Sequence, residues 1–148
     1  KMGDRLIQWT AGCTEEAIIR LVPEDRLAEL IGRDDAGVAA ERRLTLATRL
    51  ATEDKSLKAI LAATDDFRAL LIAAATGSKD GAPDDETAKM WSRHGRRWFK
   101  SVAGGRELAA KMFALGVWPS LRDYLMPFFN AIRAALGQAA VADIAHEG

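Results

Sequence analysis

Cysteine is almost absent. Cys13 is the only one in 148 residues, so no disulfide can form within the chain. This suits a reducing compartment, and the expected location is cytoplasmic. Long apolar runs are missing too. The best, ALLIAAA at 69–75, falls far short of the ~18 residues that a spanning helix needs. The first residues, KMGDRLIQW, are charged and do not read as a signal peptide. Lys1 precedes Met2, which reads as a piece of a longer protein. An excess of one charge is also lacking, with 21 Lys plus Arg against 21 Asp plus Glu. That balance counts against a chain wholly devoted to nucleic acid.

Chemistry-bearing groups are scarce. His94 and His146 are the only histidines, and no His-x3-His, Glu-x-x-His or Cys-x-x-Cys spacing occurs. No metal site and no cofactor are expected. Both glycine-rich phosphate-loop patterns are missing. The acidic pairs Glu15-Glu16, Asp34-Asp35, Glu53-Asp54 and Asp65-Asp66, and the triplet Asp84-Asp85-Glu86, fall mostly at expected helix starts. Capping and the helix dipole explain them better than a catalytic pair does. Cys13, just ahead of a helix, reads as a small packed residue rather than a reactive thiol.

Period-2 strand patterns and hairpin turns are absent, whereas Ala, Leu, Arg and Glu abound. The expected fold is therefore all-α: a single multi-helix domain of about six to seven helices over 1–148. The hydrophobic fraction of 49% is enough for a real core. Helices are expected at 4–10, at 15–22 with Thr14 as cap, and at 24–31 after Pro23 and before Gly32. Another is expected at about 36–51, and one at 53–75. Two alternatives stand: a break at Thr64, or an unbroken run over 36–75. The clearest loop is 77–85, GSKDGAPDD. Further helices are expected at 106–115 and 120–136, with Trp118-Pro119 as a turn and Pro127 as a kink or break. A last turn or two is expected at 138–145.

The feature above background is 87–103, TAKMWSRHGRRWFKSVA. As a helix it places Ala88, Trp91, Gly95, Trp98 and Val102 in one seam, widened by Phe99. Lys89, Arg93, Arg96 and Lys100 fall opposite, with Arg97 beside them and His94 between the faces, near solvent. Gly104 and Gly105 are expected to end this helix. From Lys89 to Lys111 there are seven basic residues, including Arg106, against the single acid Glu107. The bland reading is a solvated face neutralised by residues 84–86. The sharper one is an anionic partner. Gly104-Gly105-Arg106 could also meet an anion but reads more simply as a turn. Phe129 beside Met126 would mark a hydrophobic contact if exposed.

Three functions are compatible with this pattern. The first is a non-enzymatic helical module that binds a protein partner through the basic face. The second is a nucleic-acid-binding domain using the same face. The third is a small enzyme or ligand-binding helical domain, which the scarcity of polar chemistry disfavours.

Overall fold

Small and straight-chain residues carry the local structure, and they assemble as helices throughout. The structure, a computed structural model, describes residues 14–32 and 35–142. The chain runs through α1 (Thr14–Arg20), a 3-10 turn (Glu24–Arg26), α2 (Leu27–Ile31) and α3 (Ala40–Arg49). It continues through α4 (Leu57–Ala62), α5 (Phe67–Thr76), α6 (Asp85–Gly95), α7 (Val102–Ala114) and α8 (Trp118–Ala135). No strand occurs among the described residues, so the all-α class holds. No helix there is long and apolar enough to cross a membrane. The expected helix at 4–10 lies outside the described residues.

The hub is α5, which packs against α1, α3 and α6. Its inner surface is made of Leu71, Ala74 and Ala75, each fully buried. Alanines let neighbouring helices come close, and the α6 contact uses this fully. A Cβ added to Gly95 would collide with the backbone of Gly77, just past the end of α5. Gly77 itself has φ 72°, a left-handed cap that other residues rarely adopt. The core continues through Ile19, Leu27, Leu30, Leu46 and Ile60 to Met112 and Leu121.

Several expectations on helix boundaries are corrected. The 53–75 stretch is two helices, as the Thr64 alternative had it. Asp66 accepts from the Ala69 N–H at 2.9 Å and starts α5, while the Thr64 hydroxyl accepts from the Asp66 N–H. Residues 36–75 thus supply three helices. The helix expected at 87–103 stops at Gly95, and residues 96–100 form a turn. Ser101 restarts the chain by accepting from the Gly104 N–H at 3.0 Å. Gly104 and Gly105 therefore lie inside α7 rather than ending a helix. Their role is spatial: a Cβ on Gly104 would collide with the Trp98 carbonyl oxygen.

α8 starts at Trp118, with Pro119 in its first turn, where proline costs no hydrogen bond. It also runs on through Pro127 without a break. Asp123, whose carbonyl loses its partner to the proline, and Pro127 itself are both exposed residues. Residues 138–142 are not helical. They fold back, with the Asn130 side-chain amide donating to the Val141 carbonyl and Arg133 Nε donating to the Ala139 carbonyl.

The two adjacent glycines should respond oppositely to alanine. Gly104→Ala should destabilise by about 1–3 kcal/mol, because backbone must move to admit the methyl group. At Gly105 the nearest atom to an added Cβ is 3.8 Å away. Gly105→Ala should therefore stabilise α7 by about 0.5–1 kcal/mol. Urea midpoints of the two variants check this, and equal shifts would contradict it.

Candidate functional site

The loop 77–84 ends in a strong helix start. Asp84 accepts from the Thr87 N–H at 2.7 Å, a bond that holds its carboxyl below the usual range. α6 then buries Trp91, His94 and Gly95, spaced 3 and 1 along the chain and so on one face. Trp91 Nε1 donates to the Thr48 hydroxyl on α3 at 3.0 Å, and Arg49 stacks 4.1 Å from the ring centroid.

His94 is buried, not near solvent as expected. Its Nδ1 lies 2.8 Å from the Thr45 hydroxyl, which also sits 2.9 Å from the Glu41 carbonyl. The hydroxyl has one proton, and the carbonyl can only accept it. His94 must then donate through Nδ1–H, which leaves Nε2 as the bare nitrogen. Burial pulls the imidazole below its ordinary value. Glu41 pulls it back up, while Arg93 and Arg97 push it further down.

Beyond Gly95 the turn inserts Trp98 and Phe99 into the core. Trp98 Nε1 is buried without an acceptor among the described residues. Arg42 of α3 lies 5.1 Å and 5.2 Å from the two ring centroids. It also grips Glu107 of α7 with two parallel bonds of 2.6 and 2.8 Å. This fork holds the Glu107 carboxyl below the usual range. Arg42 is thus an inward strut that fixes the rotation of α7.

The sequence-predicted cations divide into two groups. Arg97 donates to Glu41 at 3.0 Å, and Lys100 donates to the Thr76 carbonyl at the end of α5 at 3.1 Å. Lys89, Arg93, Arg96 and Arg106 are exposed and bond to no other described residue. Arg96 has φ −63° and ψ −23°, so it prolongs the path of α6 and stands near Arg93. Arg106 stands apart, on the exposed side of α7. Residues 84–86 form no ion pair with any of these cations. The remaining described arginines are all engaged. Arg20, Arg26, Arg42, Arg43, Arg68, Arg97 and Arg122 pair with carboxylates. Arg49 and Arg133 donate to carbonyls. Of twelve described arginines, the three left over all lie on α6 and α7 or at their junction.

Met126 is buried, so the expected hydrophobic contact reduces to Phe129, which is 37% exposed and edge-on to Phe128. Val102, expected in the buried seam, instead begins α7 and is 77% exposed, and Phe113 on the same helix is 58% exposed. Phe113 stacks on Trp118 with centroids 4.9 Å apart. The spacing of Val102, Arg106, Ala109 and Phe113 could have shown this stripe had α7 been placed correctly. Beside it, a half-open apolar cleft of about 250 Å³ lies between α1, α7 and α8. A polar groove of about 340 Å³ runs past Glu41, Arg42, Arg97 and Glu107, whose charges already pair with one another.

Among the described residues no group of three His, Cys, Asp or Glu side chains could hold a metal ion. Cys13 and His146 lie outside them. Compared with known protein families, curated proteins and solved structures, the chain matches none.

Because folding lowers the His94 value, the folded state resists its protonation. Above an imidazole value of about 6.5 neither state is charged and nothing is lost. As pH falls below that, the unfolded chain takes up the proton first and stability drops. The drop ends once folded His94 titrates. An NMR titration should place the His94 midpoint below that of a free imidazole. Urea midpoints should fall from pH 7.5 to 5.5 by more in wild type than in His94→Gln. A midpoint at or above the ordinary value would contradict the burial argument.

Proposed function

We propose that this protein is a non-enzymatic helical interaction module that docks an acidic protein partner against Lys89, Arg93 and Arg96, working in the cytoplasm. The observation that carries this is the division of the arginines. Nine described side chains serve the fold through carboxylates or carbonyls, while Arg93 and Arg96 serve none. Lys89 and Arg93 are four residues apart on one helix, a like-charge pair that costs a few tenths of a kcal/mol, about as much as an opposite pair gains. The C-terminal dipole of α6 offsets some of this for Arg93. Asp85 and Glu86 lie one turn before Lys89 on α6 but form no ion pair with it, which leaves the edge open to an external anion.

A protein anion fits better than nucleic acid for two reasons. The chain as a whole is neutral. The free cations also form a short edge rather than a broad field, since Arg97 and Lys100 are already bonded to α3 and α5.

The triple variant Lys89→Gln, Arg93→Gln, Arg96→Gln tests this. Folding should be unchanged, with a urea midpoint shift inside about 0.5 kcal/mol. Binding of a labelled glutamate-rich peptide at low salt should weaken about tenfold, as expected for three exposed charge pairs. High salt should shrink the difference by screening. Equal binding by variant and wild type at low salt would reduce the edge to a solvated face. Tighter binding of a short DNA duplex than of the peptide would favour the nucleic-acid reading.

A further inference from the structure

The fork between Arg42 and Glu107 and the burial of Leu108 and Met112 fix which side of α7 faces out. That side carries Val102, Arg106, Ala109 and Phe113, within ~60° of one another on the helical wheel. Among the described residues, Val102 and Phe113 are two of the three most exposed large apolar side chains. Singly exposed apolar residues are ordinary, but here they are aligned and enclose an unpaired guanidinium. Arg106 is the fifth residue of α7, nearer the end where the dipole gives a cation no benefit.

The apolar cleft opens directly beside this stripe. Its walls include Phe99, Leu108, Met112 and Leu125 together with Glu15 of α1, and its rim on α7 is Gly105 and Ala109. The rim residues carry little or no side chain, so another helix could approach α7 closely there. Stripe, cleft and cation therefore form one continuous surface: a ridge, a socket beside it, and a positive charge one turn from the socket.

We infer that this surface seats an amphipathic helix of a second protein. One large apolar side chain of that helix enters the cleft, its apolar face lies along Val102 and Phe113, and a carboxylate pairs with Arg106. This is the groove mode of helix recognition, with a central anchor and a flanking charge. A second copy of this chain is a poorer occupant. Two α7 stripes packed antiparallel would bring Arg106 of each within about a turn of the other, with no acid on either stripe to separate them. The inference rests on the proposed protein-binding function and names the shape of the partner.

The probes are two synthetic 18-residue helical peptides with leucines along one face, one flanked by glutamates and the other by lysines. Wild type should prefer the glutamate peptide. Arg106→Glu should weaken it about tenfold and shift the preference to the lysine peptide, as swapping one charge pair does. Ala109→Gln should weaken both, because it obstructs the rim of the cleft while leaving a good helix former in an exposed site. Amide shifts on titration should centre on 102–113 and Leu125. Unaltered binding by Arg106→Glu and Ala109→Gln overturns the inference. If binding is lost only in the Lys89, Arg93 and Arg96 variant, the proposed function stands and this surface does not. Concentration-dependent dimerisation that Ala109→Gln abolishes makes a second copy the occupant and also overturns it, as does binding to anionic vesicles without binding to either peptide.

Discussion

The close approach of α5 and α6 at Gly77 and Gly95 is the constraint on which the rest of the structure depends. No side chain fits between these backbones. Their contact fixes both the height and the rotation of α6 against the hub. Trp91 then meets Thr48 and Arg49, and His94 meets Thr45, all on α3. The chain leaves α6 at the point where Trp98 and Phe99 can drop into the core. A second close approach, Gly104 under the Trp98 carbonyl, then sets where α7 begins. Two places without a side chain thus govern the path of the chain through its most aromatic region.

Charge placement follows from that path. With α6 and α7 fixed, Arg42 reaches Glu107, Arg97 reaches Glu41, and Lys100 reaches the end of α5. The first joins α3 to α7, and the other two tie the 96–100 turn to α3 and α5. Exposed ion pairs contribute at most about 1 kcal/mol each. The Arg42 fork contributes more through geometry, because its guanidinium also packs beside two aromatic rings. What the fold leaves unused is informative: a short cationic edge on α6, and an apolar stripe with one arginine on α7. Apart from the stacking of Phe113 on Trp118, the described residues neither pack against nor pair with these surfaces.

Much of this was legible in the sequence, and the failures share a cause. Helix class and the burial of Trp91, Gly95 and Trp98 follow from local pattern, whereas the break near Thr64 stood only as an alternative to one helix over 53–75. The break after Gly95 did not show. A tight turn over 96–100 kept Trp98 and Phe99 on the inner side, so a single helical seam mimicked two elements. Ser101 carried the missed cap signal. The partners of Arg42, Arg97, His94 and Lys100 lie 24 to 65 residues away in sequence. No local spacing encodes such pairs. Of the kink or break expected at Pro127, the break does not occur, and α8 continues past this exposed proline. In the basic stripe, likewise, charge periodicity was visible, but which charges the fold would consume was not.

The fold immobilises some arginines and leaves Arg93, Arg96 and Arg106 without a bonded partner among the described residues. Guanidinium NMR reads this directly, since a bonded head group rotates slowly about its Nε–Cζ bond and a solvated one rotates fast. Arg42, Arg49 and Arg68 should show hindered rotation and protected Nε–H signals in the free protein. Arg93, Arg96 and Arg106 should rotate freely and exchange rapidly with water. Hindered rotation at these three would mean that the fold already employs them, and the case for an external anionic partner would fall.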